Sequence, residues 1–437
     1  MTNTLWFDEK LQQMRLFRLY GRVVKVVGMT IESMGPKATI GDICSIQSDG
    51  GAECTAEVVG FREDRLILMP LGEIKSVSPG ADVTALGSSL AVPCGPNLRG
   101  RILDGLGQPM DGLGPVQGAE LRLMDGASPH PLERQRIAQP MPTGVRVIDS
   151  LLTVGRGQRM GIFAGSGVGK STLLSMIARH SQADVNVIGL IGERGREVRE
   201  FLENDLGTEG LGQSVVIVAT SDQPALIRIK AAMVATTVAE YFRDEGYHVN
   251  FMLDSITRFA MAQREIGLAV GEPPTSRGYT PSVFAMLPRL LERSGAGKNG
   301  TITAFYTVLV DGDDMNDPIA DAVRGILDGH MVLSRTIANA GHFPAVDVLA
   351  SLSRLFPSLA TPVQATAARQ VRSWMQRYRE VEDLVRIGAY QPGADPDADM
   401  AIRKLPEIHA LVRQHRDEAA AWEDTLRQLE CVSGVVV

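Results

Sequence analysis

The segment RMGIFAGSGVGKSTLLSMIARH, residues 159–180, decides the fold class of this chain. It reads as an apolar strand, then a glycine-rich loop that ends in Gly169-Lys170-Ser171, then a helix, which is the order that a phosphate-binding loop requires. Backbone N–H groups of such a loop and of the following helix N-terminus bind phosphate oxygens. Ala164 stands where such loops usually begin with glycine, so we expect ordinary backbone angles at that position.

We predict that this loop binds the phosphates of a nucleotide. Lys170 would contact the β and γ phosphates as a point charge, and Ser171 would ligate a Mg²⁺ ion. The predicted nucleotide-binding residues of the loop are Gly165, Ser166, Gly167, Val168, Gly169, Lys170, Ser171 and Thr172.

Four more apolar runs, VNVIGLI, SVVIVAT, VNFMLD and TITAFYTVL, alternate with helical segments between residues 185 and 309. These runs are continuous rather than alternating in polarity, which is typical of parallel strands buried on both faces. Strands that alternate with helices in this way indicate an α/β architecture. Residues 96–360 are therefore predicted to form a P-loop (RecA-like) nucleotide-binding domain around a parallel sheet.

The flanking segments have different patterns. Residues 19–95 contain short β-branched runs between Gly- and Asp-rich turns, and they predict a small closed β-barrel or sandwich. Residues 93–115 are dense in Gly and Pro, which favours a linker and entry loops. In residues 361–437 apolar side chains recur at three- and four-residue spacing, so a helical domain is predicted. Residues 1–18 predict a short helix, which either packs on its own domain or docks a partner or a lipid surface.

The composition narrows the function classes. The 437 residues carry a formal net charge of -7 and a pI near 5.6, which argues against a nucleic-acid-binding protein. The four cysteines have no metal-ligand spacing. No secretory signal and no apolar run long enough to span a bilayer is present, so we expect a cytoplasmic protein whose membrane contact, if any, is peripheral.

Two carboxylates follow predicted strands. Asp254 ends VNFMLD, and Glu193 comes just after VNVIGLI. The carboxyl ends of parallel strands face the ligand crevice. We therefore expect Asp254 to hold Mg²⁺ through water, and Glu193 to be the general base that activates the attacking water. The neighbouring Arg194 and Arg196 are expected to hold Glu193 in place.

These pieces, in this order, resemble the catalytic subunits of the rotary ATP synthase superfamily. A fourth piece, PAVDVLASLS at residues 344–353, is similar to that superfamily's signature of Pro, small, aliphatic, Asp, three residues, Ser, any, Ser. The segments IGLIGERGREV and DSITRFAMAQREIGLAVGEPP resemble the type III export ATPases in particular, and the likeness covers nearly the whole chain. The ending WEDTLRQLE resembles the flagellar branch of that family more than the virulence branch.

The resemblance implies a homohexameric ring that hydrolyses ATP with Mg²⁺, with nucleotide at the subunit interfaces. It implies that Arg354, directly after the signature, is an arginine finger donated into a neighbour's site, where a permanently charged guanidinium stabilises the leaving phosphate. It implies that Phe343 stacks on adenine. It also implies true hydrolysis, since related non-catalytic subunits have Gln at the position of Glu193.

The resemblance further implies the partners and the location. The expected partners are a stator or regulator protein at residues 1–18, a coiled-coil stalk protein in the ring pore, an export-gate membrane protein, and export chaperones with their substrates. The expected location is cytoplasmic, peripheral at the inner-membrane base of the flagellum. No nucleic acid is expected.

Four alternatives stay open at this point. The chain could be the ATPase of a virulence-type (injectisome) secretion system. A rotary ATP synthase β subunit would carry a long acidic C-terminal segment, which this chain lacks. An RNA-translocating hexameric helicase would need a basic, aromatic-rich N-terminal domain. A scaffold that only binds nucleotide would not need Glu193 or Arg354.

Overall fold

The computed structural model describes residues 20–47, 53–73, 77–87, 89–310 and 314–435. The helix that the sequence predicts over residues 1–18 lies outside the described residues. None of the helices in the described ranges is long and apolar enough to cross a bilayer.

Six short strands near the N-terminus close into a barrel in the order β1-β2-β5-β4-β3-β6. Closure pairs the edge strands, and the apolar side chains Ile31, Ile46, Val58 and Leu68 fill the interior with no exposed surface. The prediction of a barrel or sandwich is therefore confirmed as a closed barrel. Its strands are β1 Tyr20–Val27, β2 Thr30–Met34, β3 Ile43–Gln47, β4 Glu53–Arg62, β5 Arg65–Pro70 and β6 Asp82–Ala85.

The central domain is built on a sheet in the order β17-β16-β10-β15-β13-β11-β12-β8. All neighbours on this path are parallel except β16 and β17. Every residue of β13 is buried, which is why the strand reads as a continuous apolar run, and the predicted parallel α/β core is confirmed. The strands are β8 Ile102–Asp104, β10 Arg159–Ala164, β11 Val185–Glu193, β12 Ser214–Thr220, β13 His248–Asp254, β14 Gly295–Ala296, β15 Thr301–Leu309, β16 Gly329–Leu333 and β17 Val346–Ser353, with β14 antiparallel to β15.

The segment 93–115 is more than the predicted linker. Strand β8 pairs in parallel with β12 and so extends the central sheet. The guanidinium of Arg101 donates to the carboxylate of Asp111 at 2.7 Å, and this bond holds the pKa of Asp111 well below its usual range. A three-residue strand between glycines leaves no periodic pattern, so the sequence could not reveal it. Just outside, β7 Ala91–Cys94 and β9 Glu120–Leu123 form a two-stranded ribbon.

The α-helices cover both faces of the sheet and build the C-terminal region, as predicted. The last three helices pack against one another, and Val371 and Leu429 from them are fully buried. The helices are α1 Arg146–Leu151, α2 Lys170–His180, α3 Gly195–Glu200, α4 Gly207–Gly212, α5 Ala225–Asp244, α6 Ile256–Val270, α7 Pro281–Leu291, α8 Pro318–Ile326, α9 Arg335–Asn339, α10 Phe356–Leu359, α11 Pro362–Arg386, α12 Pro396–Val412 and α13 Trp422–Ser433.

A buried ion pair joins the barrel to the central domain. The ammonium of Lys230, on α5, lies 2.6 Å from a carboxylate oxygen of Glu57, on β4, and the two side chains are only 11% and 9% exposed. Burial raises the pKa of Glu57 even though Lys230 opposes that effect. Each of these buried charges therefore destabilises the fold if its oppositely charged partner is removed.

Replacing one partner of this pair should be costly. We expect Lys230→Met to lower the free energy of unfolding by about 3–5 kcal/mol, because it leaves Glu57 buried without a counter-charge. Urea denaturation measures the change. The double variant Glu57→Leu, Lys230→Met should recover most of the loss. Arg22→Ala, which breaks the exposed pair with Asp82, is the control and should cost under about 1 kcal/mol. Equal midpoints for Lys230→Met and the control would contradict the expectation.

Candidate nucleotide-binding site

The phosphate loop connects the end of β10 to the start of α2. Ala164 is the last residue of β10, so its backbone has the ordinary conformation that the sequence predicts. Gly167 and Gly169 have φ angles of 77° and 91°, which residues with a side chain rarely adopt. The loop can therefore curl with its N–H groups inward, and Gly169 stands directly before the first turn of α2. The loop and the helix N-terminus together form a cradle for an anion.

Lys170 lies between the two predicted carboxylates. Its Nζ atom is 2.5 Å from Oδ1 of Asp254 and 3.3 Å from Oε1 of Glu193. The sheet causes this meeting, because β11 and β13 are adjacent and parallel, with Leu190 paired to Asp254. Burial lowers the pKa of Lys170, but the two carboxylates outweigh burial and the net direction is upward. The lysine is therefore a fixed cation.

Thr307 is a member of the cluster that the sequence did not indicate. Its buried hydroxyl donates to Oδ1 of Asp254 at 2.7 Å, from the neighbouring strand β15. The bond fixes the rotamer of the carboxylate and leaves its other oxygen for a different partner. A hydroxyl near the end of an apolar run was the available signal, but Thr is common in strands, so the signal is weak.

Glu193 has the environment of a general base. Burial, the nearby Asp254 charge and a contact with Glu197 raise its pKa to about 7, while Lys170 opposes the rise. A pKa near the working pH suits proton transfer. The expectation that Arg194 holds Glu193 is wrong: its guanidinium donates to Glu197 at 3.1 Å. The side chain of Arg196 is exposed.

Lys170 and Glu193 line a cavity of about 630 Å³, and Asp254 lies directly behind Lys170. Ser166, Ser171 and Thr172 are in its wall, together with residues that sequence reasoning missed. The missed residues are Glu197, Glu200, Asp205, Arg258 and Arg416. Arg258 packs so closely on Gly192, which has a φ of 73°, that a Cβ there would lie 2.9 Å from that of Arg258. Only distant chain segments meeting in the fold bring this set together.

Arg416 comes from the segment between α12 and α13, which docks on the central domain. In this segment the N–H of Gln414 donates to the carbonyl of Phe343 at 2.9 Å, and its side-chain amide donates to the carbonyl of Gly144 at 2.8 Å. The guanidinium of Arg146 donates to the carbonyl of Leu411 at 3.1 Å. The C-terminal helical region is thus attached beside the nucleotide cavity.

Phe343 lies beside the phosphate loop, whereas Arg354 lies at the edge of the sheet. The ring of Phe343 lies against the phosphate loop, 3.5 Å from where a Cβ on Gly169 would be, and is 45% exposed. Arg354 follows β17 at the edge of the sheet, is exposed, and donates to the carbonyl of Arg324 at 3.2 Å. It does not belong to the wall of the nucleotide cavity of its own chain. The roles of these residues stay predictions.

The oxygen donors at the cavity fit a magnesium ion. Ser171 offers a hydroxyl and Asp254 a carboxylate, and Mg²⁺ prefers oxygen ligands, several of them usually water or phosphate. Within the described residues, no group of three or more His, Cys, Asp or Glu side chains could hold a metal by itself. A metal here would therefore be bound together with the nucleotide phosphates.

A phosphate loop on a parallel sheet, behind a small β-barrel and before a helical region, defines a P-loop nucleotide-binding protein of the ATP synthase type. Three family models agree with this class. The nucleotide-binding domain of the ATP synthase alpha/beta family matches residues 144–353, and the beta-barrel domain of that family matches residues 23–87. The T3SS EscN ATPase C-terminal domain matches residues 360–431.

Similar proteins narrow the class. The flagellum-specific ATP synthase of Bacillus subtilis is 56% identical over 96% of each chain. The type 3 secretion system ATPase of Xanthomonas euvesicatoria is 52% identical over 98% of this chain and 97% of that one. The assembled ATPase EscN from the type III secretion system of enteropathogenic E. coli superposes with a TM-score of 0.90, at 45% identity over 94% of this chain and all of that one. The chain belongs to the family of flagellum-specific and type III secretion ATPases, and it is an ATP-binding hydrolase.

The hydroxyl of Thr307 gives a test of how the cluster is held. We expect Thr307→Val to lower kcat/KM for ATP about tenfold, because Asp254 loses a buried hydrogen bond worth roughly 1–1.5 kcal/mol while the side-chain volume stays the same. Steady-state ATPase assays measure the change. The matched control is Thr303→Val in the same strand, whose hydroxyl accepts from the N–H of Gly157 instead. Similar losses in both variants would mean that Thr307 acts through stability alone.

Proposed function

We propose that this chain hydrolyses ATP with Mg²⁺ in a homohexameric ring and energises protein export through the flagellar type III apparatus, by releasing and unfolding export substrates at the gate. The position of Arg354 carries the ring proposal. Every other predicted catalytic group lies at the cavity of one chain, whereas Arg354 is exposed elsewhere on the surface. A finger in that position reaches a phosphate only in a neighbouring subunit. Assembly of the related EscN agrees with a ring.

Each residue has one role in the proposed reaction. The loop amides and Lys170 bind the β and γ phosphates; Ser171 and, through water, Asp254 would hold Mg²⁺, which would supply positive charge to offset that of the phosphates. Water attacks the γ-phosphorus, its proton passes to Glu193, and the bond to ADP breaks. Arg354 of the neighbouring subunit stabilises the charge on the γ-phosphate. Phe343 stacks on adenine from its position beside Gly169.

The proposed partners follow from the family. EscN has been solved in complex with its central stalk EscO, and EscN in that complex is 44% identical to this chain over 94% of its length. This relative supports a coiled-coil stalk protein in the pore of the proposed ring. We extend the proposal to a stator or regulator at residues 1–18, an export-gate membrane protein, and export chaperones with their substrates. The proposed location is the cytoplasmic face of the inner membrane, at the base of the flagellum. The domain limits 1–18, 19–95, 96–360 and 361–437 are part of the same proposal.

Mixing two inactive variants tests the composite site. Lys170→Ala and Arg354→Ala should each abolish turnover in homogeneous rings, because every site then lacks one group. In an equal mixture, about a quarter of the interfaces join an intact phosphate loop to a neighbour's intact Arg354, so we expect up to that fraction of parental activity. Mg-ATPase assays after co-assembly measure it. The control mixture joins the double variant Lys170→Ala, Arg354→Ala with the single variant Lys170→Ala. It contains no intact phosphate loop and should stay inactive. No recovery in the first mixture would place Arg354 outside the neighbour's site.

A deletion strain separates the flagellar role from the second candidate. The injectisome role is supported by the 52% identity to the Xanthomonas type 3 secretion ATPase. We expect deletion of the gene to abolish swimming and the export of filament protein, and a plasmid copy to restore both. A plasmid copy that carries Lys170→Ala should not restore them. A motile deletion strain that has lost secretion of virulence effectors would establish the second candidate instead.

A further inference from the structure

A second polar cavity lies at the opposite ends of the strands from the phosphate loop. Its volume is about 340 Å³, several times the roughly 30 Å³ that a water molecule occupies in the liquid. His248 and Thr301, the first residues of β13 and β15, are in its wall. Arg136 and Arg156 come from the loops that lead into the central domain. None of these residues belongs to the nucleotide site described above.

His248 is buried with one ring nitrogen unused. The residue is 8% exposed, and its Nδ1 lies 2.5 Å from the hydroxyl of Thr301. Its Nε2 has no hydrogen-bond partner among the described residues. Burial, helped by the charge of Arg156 and opposed by Asp184, lowers the pKa of His248 to about 4, so the ring is neutral at pH 7. When the Thr301 hydroxyl donates to Nδ1, the ring proton is on Nε2, which is then a buried donor without an acceptor beside the cavity.

Two guanidinium groups share the same cavity without a partner of their own. Neither Arg156 nor Arg136 makes a side-chain hydrogen bond or ion pair within the described part of the chain, and the Nε of Arg156 is buried and unpaired. The carboxylate in the wall, Asp184, is exposed and already accepts from the N–H of His248 at 2.6 Å. Arginine binds oxyanions through several donors in one plane. The wall therefore presents donors that lack acceptors.

We propose that this cavity binds a phosphate-type oxyanion, through the guanidinium groups of Arg156 and Arg136 and the Nε2–H of His248. The sheet holds the histidine in place: its pair with Thr301 bridges β13 and β15 at this end, as Asp254–Thr307 does at the other. A donor that is already ordered binds an anion without the cost of ordering it, and the two arginines come to it from the adjoining loops. The phosphate group comes either from free orthophosphate or from a bound nucleotide.

Calorimetric titration of the full-length protein with orthophosphate, at constant ionic strength, tests the site. MgADP at saturation fills the phosphate-loop cavity during the titration. We expect phosphate to bind under these conditions, and Arg156→Gln to weaken it at least about tenfold, since a charge-assisted contact is lost. Arg136→Gln, at an exposed position, should weaken it too and does not disturb buried structure. Arg386→Gln, at an exposed arginine of α11, is the matched control and should leave binding unchanged.

The outcomes separate the sources. If saturating MgADP abolishes the binding of orthophosphate, and Arg156→Gln weakens that binding in the absence of MgADP, the nucleotide itself supplies the phosphate to this cavity. Equal affinity in Arg156→Gln, Arg136→Gln and the control, with circular dichroism confirming the fold, overturns the proposal. An affinity for phosphate that rises as the protein is diluted also overturns the proposal. It would mean that an acidic side chain of a neighbouring copy fills the cavity in the assembled form. None of these results depends on which export system the ATPase energises.

Discussion

The ammonium of Lys170 lies between two carboxylates, Asp254 and Glu193, that come from adjacent strands, and it offsets part of their negative charge. Two buried acids this close would repel each other and would not both ionise without the cation. The rest of the domain is arranged so that the three meet: β10 ends beside β15, β15 beside β13, and β13 beside β11, all in parallel. A parallel sheet brings the carboxyl ends of its strands to one edge, and chemistry that needs several strand ends depends on that property.

The same cluster suits the site to the phosphates of ATP. Lys170 is held near the cavity by charges that a nucleotide's phosphates can replace, and Thr307 keeps Asp254 in one rotamer throughout. The raised pKa of Glu193 has its origin in burial and in the neighbouring acids. A group with a pKa near 7 can both accept a proton and return it to solvent at the pH of a cell.

The helical C-terminal region takes part in the nucleotide site through a short docked segment. Gln414 bonds to the backbone of Phe343 and of Gly144, and Arg416 reaches the cavity wall two residues later. The carbonyl of the proposed adenine-stacking residue is thereby tied to the segment between α12 and α13. The backbone of Phe343 is therefore in direct contact with this segment. At the other side, the buried pair Lys230–Glu57 attaches the barrel to α5.

The sequence by itself determined the phosphate loop, the parallel α/β core, the barrel, the helical C-terminal region and the family, since local patterns and a contiguous signature carry each of them. It also named Lys170 from the phosphate-loop motif, and Glu193 and Asp254 because strand ends can be read from apolar runs. Only the tertiary structure decided which other residues surround them. Thr307, Arg258 and Arg416 are distant in sequence and ordinary in type, so no local pattern marks them. The strand β8 and the oxyanion cavity at His248 likewise exist only because parallel pairing and packing bring separate segments together, which is a property of the folded chain and of no segment alone.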